Sequence, residues 1–499
     1  MGTPESHTAS DSRSAPLLAR RKKIVIRPEA GRVITRFYLP GSEEHARNVV
    51  RRVLSLSRVE VSRLLDRILS DFSHRHRRFR STLEQNFSRV SNFVLNVESL
   101  TQEQRLLIGA YFTAEFSIEA AALFNPSIVP VPSQPGDEEG SSRFIMSFRA
   151  TGEGHISSIE FRGGIIDANN DIYFDPVSRY VDTPVIHPDP SYDRHLFRLK
   201  LLEMGAANEV THHLLLRLPE TFTLSELQDG IEELRDNEDF PTEARREAMD
   251  MALWLAYSNY EMEFRPDHPL SERVIFPVSE SERNGIEDAR FVRFVDDDGE
   301  VTYYATITAY NGETILPHLI ETKDFLKFKM ITLNGREAQG KGMALFPRKV
   351  HGKYAMLSRQ DGESNTIMFS DNLHFWQEAQ LLQEPEHPFE FLQMGNAGSP
   401  IETPEGWLVL THGVGPMRTY SLGIELLDLD DPTRIIGRIR EPILTPNEFD
   451  REGYVPNVVY SCGSMIHQEE LIIPYASSDH RCGIATLSVP KVLERLRQG

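Results

Sequence analysis

The sequence predicts a mainly β fold: a five-bladed β-propeller with an N-terminal helical region and a helical insertion between the first and second blades. Three observations predict it. From Phe124 onward the apolar period shortens from three-and-four to two. A pair of apolar runs joined by a polar or glycine turn then recurs five times, at 143–149 with 155–161, 303–310 with 314–320, 353–359 with 366–369, 407–412 with 419–427, and 470–475 with 482–487. Each pair is preceded by one more apolar run, at 124–129, 288–294, 343–347, 398–401 and 458–466. In a propeller the inner strands converge on a central channel, so polar residues at one end of each look into a common pocket.

The rest of the chain divides by composition. Residues 1–20 are small, polar and basic at their end, and are expected to be a disordered tail, because such a composition buries too little apolar surface to hold a structure. Residues 21–120 form an N-terminal region of two short strands (24–26 and 33–38) and then helices. Ser42 is a cap candidate followed by Glu43 and Glu44, with three-and-four spacing through Val49, Val50, Val53 and Leu54. The first blade takes 121–167, the helical insertion 168–260 and the remaining blades 261–499. Within the insertion, helical patterns run over 192–202, 224–235 (opened by Thr223) and 242–257.

At 499 residues the chain is long enough for several cores. A net charge of −20 argues against nucleic acid or an anionic membrane as partner. The first hundred residues nonetheless carry about nine more basic than acidic groups, concentrated in HRHRRFR at 74–80. That run reads either as a polyanion patch or as a solvated helix face or oligomer contact, so a homo-oligomer through the N-terminal helices is an expectation. Two cysteines, Cys462 and Cys482, make neither a disulfide framework nor a metal pair and read as buried thiols. With no apolar segment behind the N-terminal charges and no membrane-length run, a cytoplasmic location is expected.

Chemistry concentrates at Asn284–Arg290, where two adjacent carboxylates, Glu287 and Asp288, and the Arg290 guanidinium follow a glycine turn at a strand's mouth. Arranged around one axis, the units add Asn125 and Arg149 from the first, Lys341 and Arg359 from the third, Gln393, His412 and Tyr420 from the fourth, and Tyr475 and Asp479 from the fifth. Carboxylates on one wall and cations with His and Tyr on another suit a polyol together with an anion.

The segments GIEDAR (285–290), KGMALFP (341–347), GNAGSP (395–400), WLVLTHGV (407–414), LLDLDDP (426–432) and VPNVV (455–459) occur in order along the chain. In these the sequence resembles glycoside hydrolase family 130, the β-mannoside phosphorylases and β-mannosidases, over roughly three hundred residues. The resemblance implies inverting phosphorolysis of a β-mannoside oligosaccharide, with inorganic phosphate as co-substrate and no metal or organic cofactor. It makes Asp288 the general acid, protonated near neutral pH with an ionised Glu287 beside it, the proton reaching the glycosidic oxygen through a sugar hydroxyl. It makes Lys341, Arg359, His412, Tyr420 and Gln393 the phosphate site, and Asn125, Arg149, Glu287, Arg290, Tyr475 and Asp479 the sugar site. Ala289 stands where the family signature has proline, and Gln393 where its phosphorylases often place lysine. Two alternatives stay open: a β-mannosidase using water, with Glu363 or Glu402 as base, and a non-catalytic carbohydrate-binding or scaffold propeller.

Overall fold

In the computed structural model the described residues are 17–498 without 190, 236–238, 313 and 314. Most of the expected tail, and residue 314 of one expected strand, therefore lie outside them. The protein is mainly β. Among the described residues there are five antiparallel sheets of four or more strands. The first is built on Ala122–Val131, Ser142–Thr151 and Ser157–Ile166, and the second on Ile286–Val295, Val301–Tyr310, Ile315–Thr322 and Lys327–Thr332. The third comprises Ala344–Leu345, Tyr354–Ser358, Asn365–Ser370 and Ala379–Gln383. The fourth is built on Gln393–Asn396, Gly406–Val414, Tyr420–Leu427 and Ile435–Arg438. The fifth holds Val459–Tyr460, Glu470–Ser477 and Arg481–Ser488, and takes Arg20–Ile26 as its outer strand.

Successive sheets pack face to face over separate apolar layers. Phe161 and Phe291 meet between the first and second sheets, Phe294 and Met356 between the second and third, and Ile367 and Trp407 between the third and fourth. Leu410 and Ile473 meet between the fourth and fifth, and Ile484 and Phe144 between the fifth and first. A sheet covered on both sides cannot alternate apolar with polar, which is why every residue of Gly406–Val414 is buried. Two backbone bonds also tie the fifth sheet to the first, Cys462 N to Pro126 O (2.9 Å) and Leu123 N to His480 O (3.1 Å).

Arg20, expected in the tail, already belongs to the outer strand of the fifth sheet. Strands Val33–Phe37 and Thr113–Ser117 pair, with four helices between them: Glu43–Leu54, Arg58–Phe72, Phe79–Val90 and Gln102–Tyr111. Ser42 caps the first of these, and Ser57 with Glu60 and Thr101 with Gln104 form capping boxes on the second and fourth. The basic run at 74–80 is not simply a solvated face. Arg75 and His76 both reach Glu115 (2.8 and 2.7 Å), and Arg77 forks onto Glu272 (2.7 and 2.5 Å), so the run latches the helices to the β body. The sequence reading could not see acceptors 39 to 195 residues away.

Helices Arg194–Glu203, Glu209–Arg217, Leu224–Arg235 and Thr242–Tyr257 close around their own core of Phe197, Leu214, Phe222 and Leu255. The segment 168–260 is not wholly helical. Ile172–Phe174 joins the first sheet, and Val185–Pro188 and Tyr260–Glu263 extend the second at its outer edge. These strands are too short for a period to show, and proline at position 188 is tolerated because the strand lies at an edge. Among the described residues no helix is long and apolar enough to cross a membrane.

The deepest polar anchor is Arg32, fully buried, with Nε 2.6 Å from Glu119 and Nη2 2.7 Å from Glu160. Replacing it with methionine leaves the buried Glu119 and Glu160 to share Arg162 alone, at 3.1 and 3.2 Å. Arg32→Met is expected to lower unfolding free energy by about 3–5 kcal/mol in denaturant titration.

Candidate active site

The site begins with two matching defects in the inner strands. Register slips by one residue between Phe124 and Ser127 in Ala122–Val131, and between Glu287 and Arg290 in Ile286–Val295. Each bulge holds a residue in the left-handed region, Asn125 at φ 47° and Asp288 at φ 54°. Short polar side chains are the non-glycine residues that tolerate that conformation best. The bulges turn both side chains out of the strand pleat, and Asn125 Nδ2 donates to Asp288 Oδ1 at 2.6 Å. Gly285 (φ 125°) brings the approach to the second bulge against Ser157, where a Cβ would lie 2.7 Å from the Ser157 nitrogen. Ala289 is buried in the layer between the first two sheets.

Arg149 organises the acidic wall. Its guanidinium lies over the Phe124 ring, receives its orientation from Ser157 Oγ (2.9 Å), and donates to Glu287 Oε1 (2.8 Å) and Asp288 Oδ1 (3.4 Å). Lys341 closes on the other Glu287 oxygen at 2.6 Å. Burial works to raise the Asp288 pKa, but Arg149, the Asn125 hydrogen bond, Arg290 and Lys341 outweigh it and hold the carboxyl below its ordinary range. The expected protonated Asp288 is thus not the state of this pocket, because Glu287, whose charge was to keep the proton on, is itself tied to two cations. Asp479 carries the opposite shift. Burial, and then the Asp288 charge, push it up to about 7.

The facing wall is built on the third and fourth sheets. His412 Nδ1 donates to the Asn396 carbonyl at 3.0 Å, which leaves Nε2 as acceptor for Arg359 Nη1 at 3.2 Å. Burial, Arg359 and Arg290 hold the His412 pKa well below its ordinary value, so the ring is a neutral spacer and not a third cation. Arg359 has no carboxylate partner among the described residues, and its Nε is buried without a hydrogen-bond partner. A half-buried guanidinium with a neutral partner and no carboxylate is matched to an anion from outside. Tyr420 stacks parallel to His412, with centroids 6.3 Å apart.

Ten of the expected residues line a single cavity of about 260 Å³. Asn125, Arg149, Glu287, Asp288 and Asp479 lie on one side; Lys341 bridges; Arg359, Gln393, His412 and Tyr420 lie on the other. Among the described residues no group of three or more His, Cys, Asp or Glu is placed to hold a metal ion.

The sequence model of glycoside hydrolase family 130, described as β-1,4-mannooligosaccharide phosphorylase, matches residues 266–498. A 1,2-β-oligomannan phosphorylase of Thermoanaerobacter sp. (strain X514) is 33% identical over 230 residues, 45% of this chain and 75% of that protein. The chain belongs to glycoside hydrolase family 130. A β-1,2-mannobiose phosphorylase of the same organism is 34% identical over 214 residues, covering 42% of this chain and 68% of the relative. A solved β-1,2-mannobiose phosphorylase from Listeria innocua in complex with β-1,2-mannobiose gives a TM-score of 0.45 at 21% identity, over 77% of this chain and 94% of that one.

Two residues expected in the sugar site of this family 130 chain are elsewhere. Arg290 is buried behind the cavity, bonded to Asn396 (2.6 Å to Oδ1) and to the Tyr460 hydroxyl (2.6 Å). Glu287 pairs with Thr308 and Arg290 with Thr306, so the bulge leaves both on one face and sets Arg290 one pleat repeat deeper, beneath the cavity. Tyr475 packs in the layer between the fourth and fifth sheets, under Arg21. It precedes the turn that carries Asp479 and keeps the strand's inward register. Glu402 pairs with Arg348 outside the cavity and Glu363 is exposed in a turn. Both cysteines are buried and free. Sequence reasoning missed Tyr460, which sits inside an expected strand, and Arg418, whose Gly-Pro turn at 415–416 lies at the same end of its sheet as His412.

Because Asp288 is the second-largest cause of the Asp479 shift, Asp288→Asn is expected to lower the Asp479 titration midpoint from about 7, followed by carbon NMR of the carboxyl groups. The folded state binds this proton more tightly than the unfolded chain does. Asp479 therefore costs stability progressively as pH rises from about 4 to 7, and Asp479→Asn flattens that slope.

Proposed function

We propose that the protein is an inverting β-mannoside phosphorylase on a five-bladed β-propeller, converting a β-mannooligosaccharide and phosphate to α-mannose 1-phosphate and a shortened sugar. The reading rests on one observation: Asp288, held by Asn125 and Arg149, and the Arg359 guanidinium, held by His412 and without a carboxylate partner among the described residues, line one cavity. Five consecutive sheet layers, the last packed on the first, support the propeller.

In the proposed reaction a phosphate oxygen, held by Arg359 with Tyr420 and Gln393 beside it, bonds to the anomeric carbon from the face opposite the leaving group. The bond from that carbon to the glycosidic oxygen breaks, and the proton carried by Asp288 ends on the departing hydroxyl. Asp288 is anionic in the ligand-free pocket, so the negative charge of phosphate must first offset the cations that depress it, Lys341 and Arg290 among them. Asn125, Arg149 and Asp479 hold the mannosyl hydroxyls. Hydrolysis would need a base carboxylate beside Arg359. The carboxylates lining the cavity, Glu287, Asp288 and Asp479, all belong to the Arg149 side, so no observation favours that reading.

Incubation with β-1,2- or β-1,4-mannobiose is expected to yield α-mannose 1-phosphate by phosphorus NMR only when phosphate is present. Equal cleavage in phosphate-free buffer would overturn the proposal. Asp288→Asn is expected to lower kcat by roughly 10²–10⁴-fold.

A further inference from the structure

The cavity's charges do not balance for a phosphate dianion unless one residue outside the expected set takes part. Arg149 is committed to Glu287 and Asp288, Lys341 to Glu287, and Arg290 to Asn396 and Tyr460. His412 is neutral. Among the described residues, Arg359 is the single half-buried cation of the cavity without a carboxylate, so the floor offers one positive charge to an anion carrying up to two.

Arg418 is the cavity's other cation without a close carboxylate, though its charge reaches Asp479 and works against the upward shift of that carboxyl. It lines the same cavity at its rim, is exposed, and among the described residues has no ion pair and no hydrogen bond to its side chain; its guanidinium lies 5.9 Å from the Tyr420 ring centroid. It stands in the turn Pro416–Arg418, where Met417 and Arg418 are both left-handed, at φ 59° and 55°. Gly415 N to Thr419 O (3.0 Å) and Thr419 N to Pro416 O (3.2 Å) close that turn. Tyr420 thus has Arg359's neighbour His412 stacked on it and the Arg418 guanidinium nearby.

Resting on the phosphorylase reading, we infer that Arg418 is a further phosphate-binding residue, the rim half of a two-arginine clamp whose inner half is Arg359. The clamp admits the anion past an exposed cation and completes its neutralisation inside. It also sets phosphate apart from water as the attacking species, since a neutral nucleophile gains nothing from the second charge.

The test is initial-rate kinetics on the full chain with phosphate and β-mannobiose varied separately, for wild type, Arg418→Ala and Arg418→Lys. Calorimetric binding of inorganic phosphate alone is measured on the same proteins. Arg418→Ala is expected to raise the phosphate KM tenfold or more and weaken phosphate binding by a similar factor. The mannobiose KM should move less than twofold, and Arg418→Lys should recover part of the loss. Because the side chain is exposed, the thermal midpoint should stay within a degree or two. A phosphate KM within twofold of wild type, or a rise in the mannobiose KM alone, overturns the inference while leaving the phosphorylase reading intact. A wild-type rate independent of phosphate overturns both.

Discussion

The hydrogen bond from Asn125 to Asp288 joins two sheets at the point where each inner strand carries an extra residue. Neither side chain could reach the other from a regular pleat, since a strand sends alternate residues into the layers between sheets, which here are apolar. The bulges release one residue from that alternation, and the left-handed backbone is held because Ser157 presses on Gly285 and Ser127 Oγ accepts from the Phe291 nitrogen at 3.1 Å. The carboxylate is placed by the backbone and not by side-chain freedom, and so is precise enough to position a proton.

Everything around that contact concerns charge. A cavity of this size lined by three carboxylates would repel an anion, yet the same cavity carries four cations. The structure resolves the conflict by segregation. Arg149 and Lys341 are committed to Glu287 and Asp288, whereas Arg359 faces a histidine kept neutral by burial and by the charges of Arg359 and Arg290. The unequal environments push Asp288 down and Asp479 up to about 7, so near neutral pH the proton of the acidic wall resides on the fifth sheet and not on the second.

The outer parts serve the same geometry at a distance. Arg20–Ile26 completes the fifth sheet, and Arg32, buried between Glu119 and Glu160, ties the N-terminal strands to the first sheet, which carries Arg149. The helical insertion hangs from the outer edge of the second sheet, with Lys200 bonded to the Leu333 carbonyl and Glu203 to the Gly335 nitrogen.

Strands buried on both faces write themselves into a sequence as apolar runs, and helices as three-and-four spacing, so the mainly β repeat and helices such as Thr242–Tyr257 were legible from residues alone. Short edge strands such as Val185–Pro188 were not, since three or four residues show no period. Of the site, the residues clustered at strand mouths could be named in advance, because position in a repeat is a sequence property. How deep Arg290 and Tyr475 lie, whether Asp288 keeps its proton, and where the cations of residues 74–80 go depend on a one-residue register slip and on carboxylates far along the chain. Tertiary structure alone decided these, because electrostatic partners are chosen by distance in space and the sequence records only distance along the backbone.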